Sequence, residues 1–153
     1  MEKLQELSEG LEKAIRRAHT NMYRRGRSLF SKTGISDSQF SVLLALEELG
    51  PLTMGELCKQ IFTACSTATD LANRLERDEL VERIKDDKDH RVVRMHLLPK
   101  GKKIVQDYIQ ERQHFLEAVL EESPSNEYIA LLETLEGFAE RMDISENKSL
   151  SAD

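Results

Sequence analysis

The chain has 153 residues, with 22 Lys+Arg against 28 Asp+Glu, a formal net charge of −6 and 39% hydrophobic residues. That suits one domain with a real core, and 7 Gly and 3 Pro lean towards helix and against a collagen-like or disordered chain. No apolar run approaches the roughly 20 residues of a bilayer span, MEKLQELSEGLEK has no apolar export signal, and Cys58 and Cys65 are too few for a disulfide framework, so a cytoplasmic protein off the membrane is expected.

Leu4, Leu7, Leu11, Ile15, Ala18, Met22 and Leu29 recur mostly three or four apart, which predicts one long amphipathic helix over residues 3–31. Ser36 and Gln39 read as a capping box opening a helix with Phe40, Leu43, Leu44 and Leu46 inward, ended by Gly50-Pro51. Thr53 and Glu56 form a second capping box, and Leu52 with Leu57 has the spacing of a hydrophobic staple, so a short helix is expected over residues 54–60. Thr63 is placed to cap the next helix, which turns Ala68, Leu71, Ala72 and Leu75 inward. Its other face carries Ser66, Thr67, Thr69, Asp70, Asn73 and Arg74, poor helix stabilisers but good hydrogen-bonding groups. Two short helices in this arrangement suggest a helix-turn-helix.

Beyond Leu80 the period changes. Residues 81–85 and 92–97 alternate partially, with Val93, Met95 and Leu97 on one side and Arg94 and His96 on the other. Asp86-Asp87-Lys88-Asp89 between them is turn chemistry, giving a β-hairpin with a polar, partly basic tip. Pro99-Lys100-Gly101 separates the hairpin from a long helix bearing Ile104, Val105, Tyr108, Ile109, Phe115, Leu116, Val119 and Leu120. Ser123-Pro124 opens a last helix carrying Ile129, Leu131, Leu132, Leu135, Phe138 and Met142, and residues 145–153 read as a frayed tail.

Charge follows the same divisions. Residues 1–34 balance to +4, residues 35–82 to −6, residues 83–103 to +5 and residues 104–153 to −9. An acidic chain with a local basic patch remains able to bind a polyanion, because counterion release depends on the patch. The expected fold is therefore mostly α with a small β-hairpin wing. A dimerisation helix over residues 1–34 precedes a winged helix-turn-helix over 35–101, with the helix-turn-helix at about 53–77 and the wing at about 81–98. Dimerisation helices over 102–144 follow. The terminal helices hold more apolar surface than one small core uses, which predicts a homodimer.

LERDELVERIKDDKDHRVVRMHLLPKG (residues 75–101) resembles the signature of the MarR-type transcriptional regulators. Leu80-Val81-Glu82-Arg83 matches that family's strand, Asp86, Asp89 and Arg91 its Asp-x-x-Asp-x-Arg wing, and Ser66-Thr67 the hydroxyl pair opening its recognition helix. The resemblance implies a sequence-specific DNA-binding regulator, a repressor on a pseudo-palindromic operator, with a crevice for small, frequently aromatic, effectors. Three residues depart from the pattern: Asp70 at a position more often basic or neutral, Glu79 where glycine is usual, and His90 in place of a second wing arginine.

Ser66, Thr67, Thr69, Asn73, Arg74, Lys88 and Arg91 are thus the expected DNA contacts, against the plainer reading of a solvated face, with Asp86 and Asp89 supporting the wing. Cys58 reads as core packing. Cys65, in the first turn of the reading helix, is the redox candidate, where oxidation would weaken DNA binding. The rival readings are a winged helix that contacts protein without binding DNA, a thiol-based redox-sensing regulator, and a small metal- or thiol-dependent enzyme supported only by Cys58, Cys65 and four histidines. His19, His90, His96 and His114 lack metal-site spacing, and no nucleophile elbow, Walker loop or dinucleotide fingerprint occurs, so neither a metal, a cofactor nor an enzyme is expected.

Overall fold

The computed structural model describes residues 2–122 and 125–150. In chain order its elements are α1 (Glu2–Thr33), α2 (Asp37–Leu49), β1 (Leu52–Thr53), α3 (Met54–Gln60), α4 (Cys65–Arg77), β2 (Val81–Lys85), β3 (Val93–Leu97), α5 (Pro99–Leu120) and α6 (Ser125–Leu150). The chain divides into two compact units, one up to Arg112 and one from Gln113 onward.

In the first unit both capping boxes form. Gln39 N–H donates to Ser36 Oγ at 3.2 Å and Ser36 N–H to Gln39 Oε1 at 3.1 Å. Glu56 N–H donates to Thr53 Oγ1 at 3.2 Å and Thr53 N–H to Glu56 Oε2 at 2.7 Å. Each box satisfies two backbone donors that a helix start leaves without partners, which fixes where α2 and α3 begin. Gly50, at φ 76°, turns the chain out of α2. The core lies between α2, α3, α4 and the sheet, and Leu43, Leu57, Leu75, Leu80 and Met95 are its largest fully buried side chains. Phe30 of α1, Phe40 of α2 and Tyr108 of α5 meet in a ring cluster, with centroids 4.3 to 5.5 Å apart. Gly26 gives the Tyr108 ring room, since a Cβ there would occupy the ring's place.

The sheet has the order β1-β3-β2, antiparallel throughout. Val81 pairs with Leu97 and Lys85 with Val93, which is the expected hairpin. The third strand was not expected: Leu52 and Thr53, read as staple and cap, also pair with Met95 and Arg94. Two residues are too short a run for any alternation to show. The alternation expected along β3 holds only at its inner end, where Met95 is buried. Val93 is 41% exposed because it lies at the turn end of the hairpin, paired with Lys85 and beyond the reach of β1.

Three local expectations are corrected. Thr63 does not cap α4; Ala64 is the N-cap, and Thr63 N–H donates to the Cys58 carbonyl at 3.1 Å. The turn closes back on α3 there, which takes Thr63 out of capping position. Helix α5 already begins at Pro99, where a missing N–H costs nothing. Gly101 lies buried in its first turn, where a Cβ would run into the Leu80 carbonyl. In the second unit, α6 continues to Leu150 where a frayed tail was expected from residue 145, and no Gly or Pro interrupts Asp143–Leu150. The expected start of the last helix at Ser123-Pro124 and the side chain of Leu29 lie outside the described residues.

Candidate nucleic-acid interface

Helix α4 divides its faces cleanly. Ala68, Leu71, Ala72 and Leu75 are buried, while Ser66, Thr67, Asp70, Asn73 and Arg74 are exposed. Thr69 is half-buried, and its hydroxyl donates to the Cys65 carbonyl at 2.7 Å, four residues back. That bond occupies the Thr69 proton within the helix and makes it the least available of the expected contacts. The end of α4 is left-handed at Glu79, with φ 58°, and Leu80 N–H reaches back to the Leu75 carbonyl at 2.9 Å. Glu79 therefore adopts the conformation that glycine usually supplies, at a steric cost.

Arg83 of β2 joins the wing to this helix. Its guanidinium donates to Asn73 Oδ1 at 2.7 Å and pairs with Glu76, and its backbone N–H donates to Glu76 Oε1 at 3.1 Å. The Asn73 carbonyl oxygen is thus taken, and its amide N–H groups remain the donors for a ligand.

Asp86 organises the wing turn. It accepts from the backbone N–H groups of Lys88 at 2.9 Å and Asp89 at 3.3 Å, and from Arg94 Nε at 3.0 Å. These donors, the Lys88 N–H first and the Arg94 guanidinium next, hold the Asp86 carboxyl below its ordinary value. Asp89 accepts from both the backbone N–H and the Nε of Arg91, at 3.0 and 3.2 Å. The Arg91 side chain is nonetheless 93% exposed, oriented by Asp89 but otherwise in solvent. Lys88 stands exposed on the same turn.

Arg94 carries more of this architecture than the sequence suggested. Besides Asp86 it bonds Glu56 Oε2 at 3.0 Å and the Pro51 carbonyl at 3.5 Å, tying the wing to the capping box of α3. The Thr53 backbone and hydroxyl, with Arg94 adding to them, hold the Glu56 carboxyl below its ordinary value. No local pattern announces a bond between residues 38 positions apart.

Two features of the turn between α3 and α4 also escaped the sequence. Phe62 is left-handed, with φ 51°, and 92% exposed. Cys58 and Cys65 are joined by a disulfide, with Cα atoms 5.2 Å apart. Cys65 is therefore not the solitary thiol expected, nor Cys58 merely a core residue; the closing turn brings them together.

Beyond this interface, the end of α1 and the start of α2 border a shallow, open crevice of about 540 Å³ lined in part by Arg27, Phe30, Ile35 and Asp37. The Tyr23 hydroxyl bonds the Asp37 carboxylate beside it, and that bond pushes the Tyr23 hydroxyl's own titration up.

The family model described as "MarR family" matches residues 35–93, from α2 to the start of β3. An uncharacterized HTH-type transcriptional regulator of Bacillus subtilis, YsmB, is 44% identical over 123 residues, 80% of this chain and 84% of its own. The HTH-type transcriptional repressor MdtR of the same organism is 33% identical over 70 residues, 46% of this chain and 45% of its own. A solved MarR family protein from Bacillus stearothermophilus superposes with a TM-score of 0.82 at 37% identity, covering 91% of this chain and 97% of that one. Both YsmB and that structure run well past the helix-turn-helix, so the likeness extends to the flanking helices. The reading of a winged helix that leaves DNA alone gives way accordingly: the chain belongs to the MarR family of DNA-binding transcriptional regulators.

Proposed function

We propose that the chain is a ligand-responsive repressor that acts in the cytoplasm, binding a pseudo-palindromic operator as a homodimer. The observation that carries this reading is the pairing of an exposed polar face on α4 with a solvent-projecting Arg91 on a wing tied to that helix through Arg83. In this reading Ser66, Thr67, Asn73 and Arg74 meet base edges and phosphates in the major groove. Arg91 enters the adjacent minor groove, with Lys88 on the backbone. Asp86 and Asp89 hold the wing in shape. The +5 balance of residues 83–103 supplies the attraction that the net charge of −6 conceals.

Dimerisation is supported by apolar rows that are exposed in each unit. Leu4, Leu7, Leu11 and Ile15 are 44 to 74% exposed on α1, and Ile129, Leu132 and Leu135 are 53 to 64% exposed on α6. Residues 1–34 and 102–144 accordingly serve as the dimerisation segments. The repressor assignment is supported by the likeness to MdtR. The open crevice beside Arg27 supports the expected small aromatic effector, with an acidic group paired to Arg27.

Selection of bound fragments from sheared genomic DNA tests the proposal. The expected product is a symmetric site with half-sites about 10 base pairs apart, centre to centre. Absence of any enriched site, or enrichment of asymmetric sites alone, overturns it.

A further inference from the structure

We infer that Cys58 and Cys65 form a reversible dithiol switch whose closed, disulfide form pins the start of α4 for DNA reading. The inference rests on α4 being the reading helix. Cys58 sits on α3 and is 4% exposed, whereas Cys65 is the first residue of α4 and lies exposed. The bond between them closes the turn of the helix-turn-helix over a sequence separation of 7.

Apart from Ile61, half-buried against the core, that turn has little side-chain support. Helices α2 and α3 each begin with a full capping box, but the N-cap of α4 is Ala64, which offers no side-chain hydrogen bond to the first N–H groups. Phe62, just before it, is left-handed, a conformation that a bulky L-residue disfavours. Its ring is 92% exposed, so burial does not offset that cost. Backbone bonds remain, from Phe62 N–H to the Lys59 carbonyl at 3.2 Å and from Thr63 N–H to the Cys58 carbonyl at 3.1 Å. With both cysteines reduced, an uncapped first turn behind a strained residue opens readily. Ser66 and Thr67, which follow Cys65 directly, lose their fixed positions with it. The disulfide takes the place of the missing cap.

A peroxide, hydrogen peroxide or an organic hydroperoxide, supplies the oxidising equivalents. The exposed Cys65 thiolate attacks one peroxide oxygen, the O–O bond breaks, and a sulfenic acid forms as hydroxide or alkoxide leaves. The Cys58 sulfur then attacks the Cys65 sulfur, forming S–S and expelling hydroxide, which takes up the Cys58 proton as water. Two thiols and one peroxide thus give one disulfide and two waters, or one water and one alcohol. A dithiol reverses the step by exchange at the exposed Cys65 sulfur, becoming a cyclic disulfide itself.

The test uses the full chain, treated with hydrogen peroxide or with dithiothreitol, and a DNA duplex enriched from sheared genomic DNA by either form. Iodoacetamide labelling and intact mass report the cysteines: no label after peroxide, two after dithiothreitol. Reduction is expected to weaken binding to that duplex by about three- to tenfold, through lost preorganisation, and re-oxidation to restore it. Cys65→Ser, an exposed substitution, is expected to bind like the reduced chain under both treatments, with unchanged circular dichroism. Should Cys65→Ser misfold, the wild-type pair of measurements decides alone. Two labels after peroxide, or equal affinity of the two forms with the bond present, overturns the switch and leaves the DNA-reading role of α4 standing. A chain that enriches no duplex in either state overturns that role, and the switch with it.

Discussion

Arg91 and Glu79 show how single residues divide between binding and folding. Among the described residues the Arg91 side chain bonds Asp89, and it is 93% exposed, so its loss leaves the core alone. Arg91→Ala is expected to weaken operator binding by about 1–3 kcal/mol, with the melting temperature unchanged. Titration of the labelled operator at matched salt checks this, and an unchanged dissociation constant removes Arg91 from the interface. Glu79 acts in the other sense. Its φ of 58° ends α4 in the left-handed region, which costs a non-glycine residue roughly 1–2 kcal/mol, partly offset by glycine's larger unfolded-state entropy. Glu79→Gly is therefore expected to raise stability by roughly 1 kcal/mol without altering the reading face. Denaturant unfolding of the two chains measures it, and a less stable glycine variant would contradict the strain.

At the scale of elements, the wing is held by charged hydrogen bonds rather than by burial. Asp86 collects two backbone N–H groups and the Arg94 guanidinium, and Arg94 carries the restraint on to Glu56 at the start of α3. Both carboxyls lie below their ordinary values of 3.8 and 4.5, because these donors favour the charged forms. A carboxyl depressed in the folded state stabilises fully above its unfolded value, and the contribution disappears as pH falls through the folded one. Asp86→Asn is thus expected to loosen the wing at neutral pH, seen as faster amide exchange at Lys88 and Asp89 and weaker operator binding. In thermal unfolding, the deficit relative to wild type is expected to persist down to about pH 3.8 and to vanish in stronger acid. A deficit independent of pH would mean that the Asp86 charge does not matter to the wing.

For the whole molecule, the distribution of charge and apolar surface decides the assembly. Residues 104–153 balance to −9, which keeps them from phosphate, while residues 83–103 balance to +5. In the proposed dimer, the exposed leucines and isoleucines of α1 and of α6 are the surfaces that a partner covers. Joining two readers makes the second half-site contact effectively intramolecular, so two weak contacts become one strong one. Removal of residues 124–153 is expected to give monomers or aggregates and to lower operator affinity at least tenfold, on the order of what multivalency supplies. Sedimentation of the intact and truncated chains reads the first outcome, and operator titration the second. An intact chain that sediments as a monomer at micromolar concentration sinks the dimer.

The sequence by itself determined the order of the helices and the hairpin, both capping boxes and the inward face of α4, because helix starts and apolar periodicity are written in residues three or four apart. The sequence also marked Glu79 as standing where glycine is usual, and the backbone there is left-handed. The family resemblance in residues 75–101 added the class of function to that outline. Only the tertiary structure paired Leu52 with Met95, joined Arg94 to Glu56 and Asn73 to Arg83, and made one disulfide of Cys58 and Cys65. Each of these joins groups set in place by different elements, so it depends on the path of the chain between them. Even over the seven positions separating the cysteines, that path includes a left-handed phenylalanine that no propensity selects. The wing therefore owes its amino-acid types to the local sequence and its attachment to α3 and α4 to the fold.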